Sequence, residues 1–338
     1  HIGTDKLPII IRRMREQIIA SGGEVHFACR MEELILERGE VRGVVCSGDR
    51  AFHGPVLLAT GHSARDVYRY LHRAEILIEA KPIAVGVRLE HPQSLIDEIR
   101  YHSPEGRGKY LPAAEYVYKA QAEGRGVYSF CMCPGGFVVP ASTGPEETVV
   151  NGMSPANRGS RWANSGLVVE LHPEDIPATG IRVEDPTSPL ALMQWCEAFE
   201  HKSYQAANRS LRAPAQRMTD FVARRHSSTL PSSSYTMGLT SSDLHEWMPD
   251  FITRRLSAGF RAFDRTTRGF LTGEAQLIGV ESRTSSPVRI PRDRMTYAHP
   301  IVAGLYPAGE GAGFAGGIVS AAIDGENAAQ QIALALGW

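Results

Sequence analysis

Gly304-Leu-Tyr-Pro-Ala-Gly-Glu-Gly-Ala-Gly-Phe-Ala-Gly-Gly-Ile-Val-Ser-Ala-Ala-Ile-Asp-Gly325 joins a short apolar run to a glycine-dense turn around one acidic residue, Glu310, and then to an Ala-rich segment. The pattern predicts strand, loop and helix, in that order, over Gly304 to Leu336. Gly311, Gly313 and Gly316 spell G-x-G-x-x-G. A dinucleotide fingerprint, however, needs a βαβ unit with an acidic residue about 20 positions beyond the glycines. Only a closing helix is expected after Gly316, so the fingerprint is incomplete. What the stretch does offer is a helix N-terminus, with unpaired N–H groups and a partial positive charge, next to glycines that let a flat ligand approach the backbone. Glu310 also has a plain electrostatic reading, because a carboxylate favours a helix N-terminus.

Outward from this stretch, 338 residues give material for two domains, and 43% hydrophobic with 22% charged residues is ordinary for a globular protein. No run approaches the roughly 20 apolar residues of a bilayer-spanning helix, and no secretory signal is recognisable. A net charge of -1 and a pI near 6.9 give no global pull toward nucleic acid or an anionic membrane. Five cysteines, an odd number without a disulfide-framework spacing, fit a reducing compartment. The expectation is a cytoplasmic protein with a small-molecule substrate and no nucleic-acid or membrane partner, its oligomeric state left open.

Along the chain, Thr4 or Asp5 is a candidate cap for a helix with Leu7, Ile11, Met14 and Ile18 at helical spacing and Gly22-Gly23 at its end, which predicts one buried face. Strands are expected at Glu24 to Phe27, Glu33 to Leu36, Val41 to Cys46 and Val56 to Leu58, the middle two joined at Arg38-Gly39-Glu40. Ala59-Thr60-Gly61 closes the last of them, either as a simple turn or as backbone against a ligand at a strand's C-terminal end. A helix capped by Ser63 is expected through Leu71. From Lys81 the pattern becomes strands punctuated by Gly and Pro: Ile83 to Leu89, Ala114 to Lys119, Gly126 to Cys131, Phe137 to Pro140 and Val149 to Val150. Arg88, Glu90 and His91 read either as cavity-facing groups or, more commonly for such a pattern, as a charged edge or surface ion pair. Helices are predicted at Pro186 to Ala207, Ala213 to Arg225 and Pro249 to Thr266, with a long loop, Ser227 to Ser242, as either lid or connector. Arg224, Arg225, Arg254, Arg255, Arg261, Arg265 and Arg268 read as solvated helix faces. Leu277 to Val280 and Val288 to Ile290 are further strands. The chain is expected to leave one domain and return to it, with residues 1–80 and 295–338 packing together around an inserted β-rich and helical unit, 81–294. The C-terminal helix is expected to lie buried against the first helix and strands.

Three groups of residues suit chemistry. Cys131 and Cys133, two apart on a strand, face the same side if the strand is regular, as a redox pair or as two small buried hydrophobes. No second Cys or His pair has metal-ligand spacing, so no metal is expected. Pro134-Gly135-Gly136 implies close approach by backbone or ligand. Arg283, Arg289 and Arg292 surround Ser285-Ser286-Pro287, and their guanidinium forks suit a carboxylate or phosphate, or else a structural Asp or Glu. Neither a Ser-His-Asp signature, a Walker loop nor a metalloprotease helix occurs.

Leu305-Tyr-Pro-Ala-Gly-Glu-Gly311 resembles the C-terminal cofactor motif of two-domain flavoproteins. Together with His1-Ile-Gly-Thr-Asp5, Leu58-Ala-Thr-Gly-His-Ser-Ala-Arg-Asp66, Phe130-Cys-Met-Cys-Pro-Gly-Gly136, Val150-Asn-Gly-Met-Ser154 and Thr284-Ser-Ser-Pro-Val-Arg-Ile290, it gives the whole chain a resemblance to the bacterial FAD-dependent dehydrogenase family. The resemblance implies an α/β FAD/NAD(P)-binding two-domain flavoprotein fold with an α+β insertion. It implies cofactor contacts at Thr60, Gly61, Gly309, Glu310, Gly311, Gly313, Gly316, Gly317 and Ile318, with Glu310 on the FAD ribitol. Cys131, Cys133 and Arg289 are the candidate catalytic residues on their own chemistry, and NAD(P)H is the expected electron donor. Relatives hold the ADP part of FAD with an upstream βαβ unit, so the chain reads as the C-terminal portion of an FAD-dependent oxidoreductase of unknown substrate. The rival expectation is a non-catalytic binding or substrate-recognition module that does not hold FAD by itself.

Overall fold

A computed structural model of the chain describes residues 2–338, so His1 of the first motif lies outside the described residues. The chain opens with helix α1 (Leu7–Ala20), Pro8 being tolerated in its first turn. Strands β1 (Met31–Glu37), β2 (Glu40–Cys46) and β3 (Arg50–His53) form an antiparallel sheet. Arg38 and Gly39 both take left-handed backbone, φ 52° and 80°, as a tight turn between twisted strands demands. The expected strand at Glu24 to Phe27 is irregular instead. Then come β4 (Val56–Leu58), α2 (Arg65–Arg73) and β5 (Glu79–Ala80). No side chain caps α2; the expected cap, Ser63, meets His62 Nδ1 at 3.0 Å.

The middle of the chain runs β6 (Ile83–Pro92), α3 (Gln93–Tyr101), β7 (Lys119–Ala122), β8 (Arg125–Cys133), β9 (Phe137–Pro140), β10 (Val150–Met153), β11 (Trp162–Leu171), α4 (Ile176–Thr179), α5 (Ala191–Ala206), β12 (Ala213–Arg217), α6 (Met218–Val222), β13 (Leu239–Ser241), α7 (Leu244–Trp247), α8 (Asp250–Thr266) and β14 (Gln276–Glu281). Seven of these strands form one mixed sheet in the order β13-β12-β14-β6-β11-β8-β7. β6 and β11 pair over their full length, Ile83 with Leu171 to Pro92 with Trp162. Both are buried on both faces, which explains why Asn164-Ser165-Gly166 hid β11 from a period-two reading. The helix expected from Ala213 is strand β12 followed by the short α6: Ala213 and Ala215 are fully buried in the sheet, and that tertiary contact overrides alanine's helical preference. Ser227 to Ser242 is a packed connector, since Ser234 Oγ accepts the Val138 N–H at 2.7 Å and Tyr235 is buried.

The chain ends with β15 (Val288–Arg289), β16 (Leu305–Pro307) and α9 (Ile318–Ala335). One large apolar cluster lies under the seven-stranded sheet, with Trp195, Phe199, Phe221, Phe260 and Phe270 fully buried. A second joins Leu34, Val41, Leu58, Tyr68 and Leu71 to Val288, Ile290 and Leu305. Each such large side chain contributes roughly 1.5 to 3 kcal/mol. Two expectations are corrected at the ends of the chain. α1 buries none of its residues, with Ile11 60% exposed. α9 buries only Asp324 and Ala328, so it does not lie buried against α1. Their apolar positions have helical spacing but no covering surface among the described residues. None of the described helices is long and apolar enough to cross a membrane.

Candidate functional site

β4 and β16 lie parallel, Val56 beside Leu305 and Leu58 beside Pro307. Each runs into a turn that needs glycine: Gly61 has φ 76° and Gly309 φ 74°. The two turns touch. A Cβ on Gly311 would lie 2.6 Å from the Gly61 carbonyl oxygen, so only glycine allows this approach. Gly61 thus stands beside Gly311, whereas Gly313 packs against Lys81, Val288 and Arg289. The loop is tied down from three sides. Gly309 N–H donates to Asp324 Oδ2 at 2.7 Å, Arg292 donates to both Asp324 and the Pro307 carbonyl, and Tyr68 Oη donates to the Gly311 carbonyl at 2.7 Å. Burial pushes the Tyr68 phenol up to about 12, which keeps it a proton donor.

Within this frame Glu310 is poorly partnered. Its nearest cationic candidate is His62 Nε2 at 3.9 Å, but burial, then the charges of Arg283, Arg65 and Lys81, push His62 down to about 4. The imidazole is therefore neutral at pH 7, and the contact is not an ion pair. Burial also pushes the Glu310 carboxyl up, against the opposing pull of Lys81. Just beyond, α9 begins at Gly317 with no side-chain cap, a Cβ on Gly316 would meet nothing within 4 Å, and Ile318 and Val319 are exposed. An underpartnered carboxylate, an uncapped helix N-terminus and an open glycine face are the features that the ribityl and ring portions of a flavin would occupy, so the residues present fit that half of FAD.

Next to Gly316 lies a cavity of about 380 Å³ bounded by Lys81, Tyr128, Phe130, Glu170 and Ser285. Lys81 Nζ donates to Ser285 Oγ at 3.3 Å. Burial, followed by the charge of Arg289, pushes this amine down. Lys81, Tyr128 and Tyr68 were not singled out from the sequence, and Phe130 entered only as the first residue of a quoted motif. Only the glycines that flank them in space carried a signal.

The cysteine pair is arranged differently from the regular-strand expectation. Asn164 pairs with Cys133 and Gly166 with Phe130, so β8 carries a bulge, and Cys131 has φ 44°. The alternation breaks there: Cys131 is exposed and Cys133 buried. All five cysteines are free, and no group of three His, Cys, Asp or Glu side chains suited to a metal occurs among the described residues. Burial pushes both thiols up, with Arg88 opposing it, so both are protonated near neutral pH.

Arg88, expected on an edge, is fully buried at the centre of the sheet, as are Glu90 and His91. Its Nη1 donates to Glu281 at 3.1 Å, Nε to Asn164 Oδ1 at 2.8 Å, and Nη2 to the Cys131 carbonyl at 2.6 Å. Glycine makes the room: a Cβ on Gly152, in the Val150–Ser154 motif, would lie 1.9 Å from Arg88 Nη2. Gly135 and Gly136 likewise admit backbone, at Arg158 and Met153, and not a ligand. Arg255, expected to be solvated, is also buried and donates to the Phe251 and Glu123 carbonyls.

The three arginines around Ser285 separate cleanly. Arg283 is held by Glu147 at 2.8 Å and Glu200 at 3.0 Å, with Arg65 bracing the same two carboxylates. Burial pushes Glu200 up, but the Arg283 hydrogen bond and the Arg65 charge outweigh it and hold the carboxyl below its ordinary range. Arg292 is paired with Asp324. Arg289 alone has no carboxylate within ion-pair distance among the described residues, and its Nε is buried without a hydrogen-bond partner.

The family described as "FAD-dependent protein, C-terminal domain-like" matches residues 82–284, more than half of the chain. The chain belongs to this family. The FAD-dependent family match covers the seven-stranded sheet and stops short of the glycine loop at 309–317. An uncharacterized protein of Clostridium beijerinckii (strain ATCC 51743 / NCIMB 8052) is 40% identical over 336 residues, covering 98% of this chain and 61% of the relative. The chain thus spans less than two thirds of that relative's length.

Proposed function

We propose that this chain is the flavin-facing and substrate-facing portion of an FAD-dependent oxidoreductase, with NAD(P)H as electron donor. The observation that carries the reading is the underpartnered Glu310 carboxylate beside the uncapped start of α9. Residues 1–80 and 295–338 are assigned to a two-domain flavoprotein's FAD domain, and 81–294 to its substrate domain. The family match at 82–284 supports this division.

Bound FAD would supply the redox chemistry; the chain supplies position, electrostatics and exclusion of water. Glu310 accepts hydrogen bonds from ribityl hydroxyls, while Thr60, Gly61, Gly309, Gly311 and Gly313 offer backbone at close range. Gly316, Gly317 and Ile318 present the α9 N-terminus, whose dipole favours negative charge by roughly 0.3 to 2 kcal/mol. The cavity at Lys81, Tyr128 and Phe130 takes the substrate. Of the two cysteines, Cys131 has the exposure a substrate contact needs; Cys133 serves Arg88 as a hydrogen-bond acceptor.

Affinity for FAD is assigned to two parts: this loop, and a βαβ unit that grips the adenosine diphosphate in the longer protein. Linking them makes the second contact intramolecular, at effective concentrations of about millimolar. Calorimetric titration of the 338-residue chain with FAD should therefore show weak binding. Glu310→Gln should weaken it about tenfold further, because hydrogen bonds to a charged group are worth about 1.5 to 3 kcal/mol. Submicromolar binding by this chain would overturn the two-part account. Equal affinity of wild type and Glu310→Gln would remove Glu310 from the site.

A further inference from the structure

Arg289, Arg292, Arg294, Tyr297 and Phe314 enclose a cavity of about 340 Å³ beside the glycine loop. Its wall is held in place by contacts that leave little freedom. The Arg292 guanidinium lies 4.0 Å from the Tyr297 ring centroid and 4.0 Å from that of Phe314, and Asp324 and the Pro307 carbonyl fix its far side. Asp293 accepts N–H bonds from Met295 and Thr296, closing the turn that delivers Tyr297. Tyr297 itself has φ 60°, a left-handed conformation that a bulky residue adopts only where surrounding contacts impose it.

The charge in this cavity is not balanced from within. Asp324 neutralises Arg292. Asp293 is spent on backbone. Arg289 sits 5.4 Å from the Phe314 centroid with its Nε buried and unpartnered. Arg294 is exposed, and it too has no carboxylate within ion-pair distance among the described residues. Two positive charges therefore face the space. Arg283, a few residues earlier, is by contrast closed on by two carboxylates, Glu147 and Glu200.

We propose that this cavity binds a phosphate ester, with the Arg289 guanidinium as the fork that grips the phosphate oxygens and Arg294 as the second charge. A phosphate monoester carries about -1.5 to -2 near pH 7, which matches two uncompensated arginines, whereas a carboxylate or a phosphodiester leaves one of them over. The space exceeds what a phosphate group alone fills and reaches the lower end of the range for small organic ligands, about 300 Å³. Part of the esterified molecule therefore enters with the phosphate. The inference goes beyond the flavin-site reading and stands without it.

The test is calorimetric titration of the 338-residue chain with inorganic phosphate, and with acetate as the singly charged control. Phosphate should bind more tightly than acetate. Arg289→Gln should lose about tenfold or more in phosphate affinity, as expected for a hydrogen-bonded charge, and Arg289→Lys should recover part of it. Arg294→Gln, on an exposed residue that threatens no packing, should lose less, and this variant keeps the proposal testable if Arg289→Gln misfolds. Acetate binding as tightly as phosphate, no phosphate binding at millimolar concentrations, or unchanged affinity in folded Arg289→Gln would each overturn it. Glu310→Gln should leave phosphate binding intact whatever it does to flavin. Phosphate displaced competitively by FAD would assign the cavity to that cofactor's own diphosphate and overturn a separate ligand.

Discussion

At the centre of the seven-stranded sheet, Arg88 has no exposed surface, and Glu281, Asn164 and the Cys131 carbonyl meet its donors. At the glycine loop, Glu310 and Arg289 are partly buried and lack such partners. Both regions rest on glycines that let groups approach closely, Gly152 under Arg88 and Gly61 against Gly311. The difference lies in what fills the space. In the sheet the chain fills it with its own charge and hydrogen bonds, which makes a rigid support. At the loop it leaves the Glu310 carboxylate and the buried Arg289 Nε without such partners. Buried charge alone is thus a poor guide to function; buried charge without a partner is the better one.

The comparison breaks first at Arg88. Arg88→Met leaves the Glu281 carboxylate buried and uncompensated, and denaturant unfolding should show a loss of about 3 to 5 kcal/mol. Pairing it with Glu281→Leu should restore much of that, because two apolar groups need no solvation. A single-variant loss below about 1 kcal/mol, within the usual range for an exposed pair, would mean that the pair is solvated and the sheet centre is no different from the loop.

His91 gives the next largest effect. Burial holds its imidazole down to about 4, with only the Phe270 carbonyl contact pulling the other way. The folded state refuses a proton that the unfolded chain accepts near 6.5. Stability is therefore fully present above pH 6.5 and is lost as pH falls toward 4. The loss is roughly 3 kcal/mol for a shift of this size, at 1.36 kcal/mol per pKa unit. Unfolding of wild type and His91→Gln compared from pH 7 to 4 should show the wild type losing its advantage in that window. A difference independent of pH would place His91 in contact with water.

The smallest effect sharpens the contrast. Glu310→Gln should change stability by less than about 0.5 kcal/mol, as for a surface substitution away from structural features, while weakening flavin binding. A large stability loss at Glu310 would make it a structural residue like Glu281.

Several elements are legible in the sequence alone. The run through Gly304 to Leu336 is strand, loop and helix because its apolar residues, glycines and alanines are each locally suited to one conformation. The hairpin at Arg38-Gly39 and the helices at 191–206 and 250–266 follow from the same local preferences and spacing. Local chemistry could not reveal β11, β12 or the burial of Arg88, Glu90 and His91, because strand order and burial depend on which distant segments pair. Nor could it separate Arg283, Arg289 and Arg292, three identical side chains within ten positions. Their differences come from Glu200, Asp324 and Glu147, residues remote in sequence that the fold brings to two of the three. Sequence determined that glycine, acid and helix would meet at 304–336, because those preferences act over a few residues. Only the tertiary structure decided which charges were left without a partner, because pairing acts through space across the whole chain.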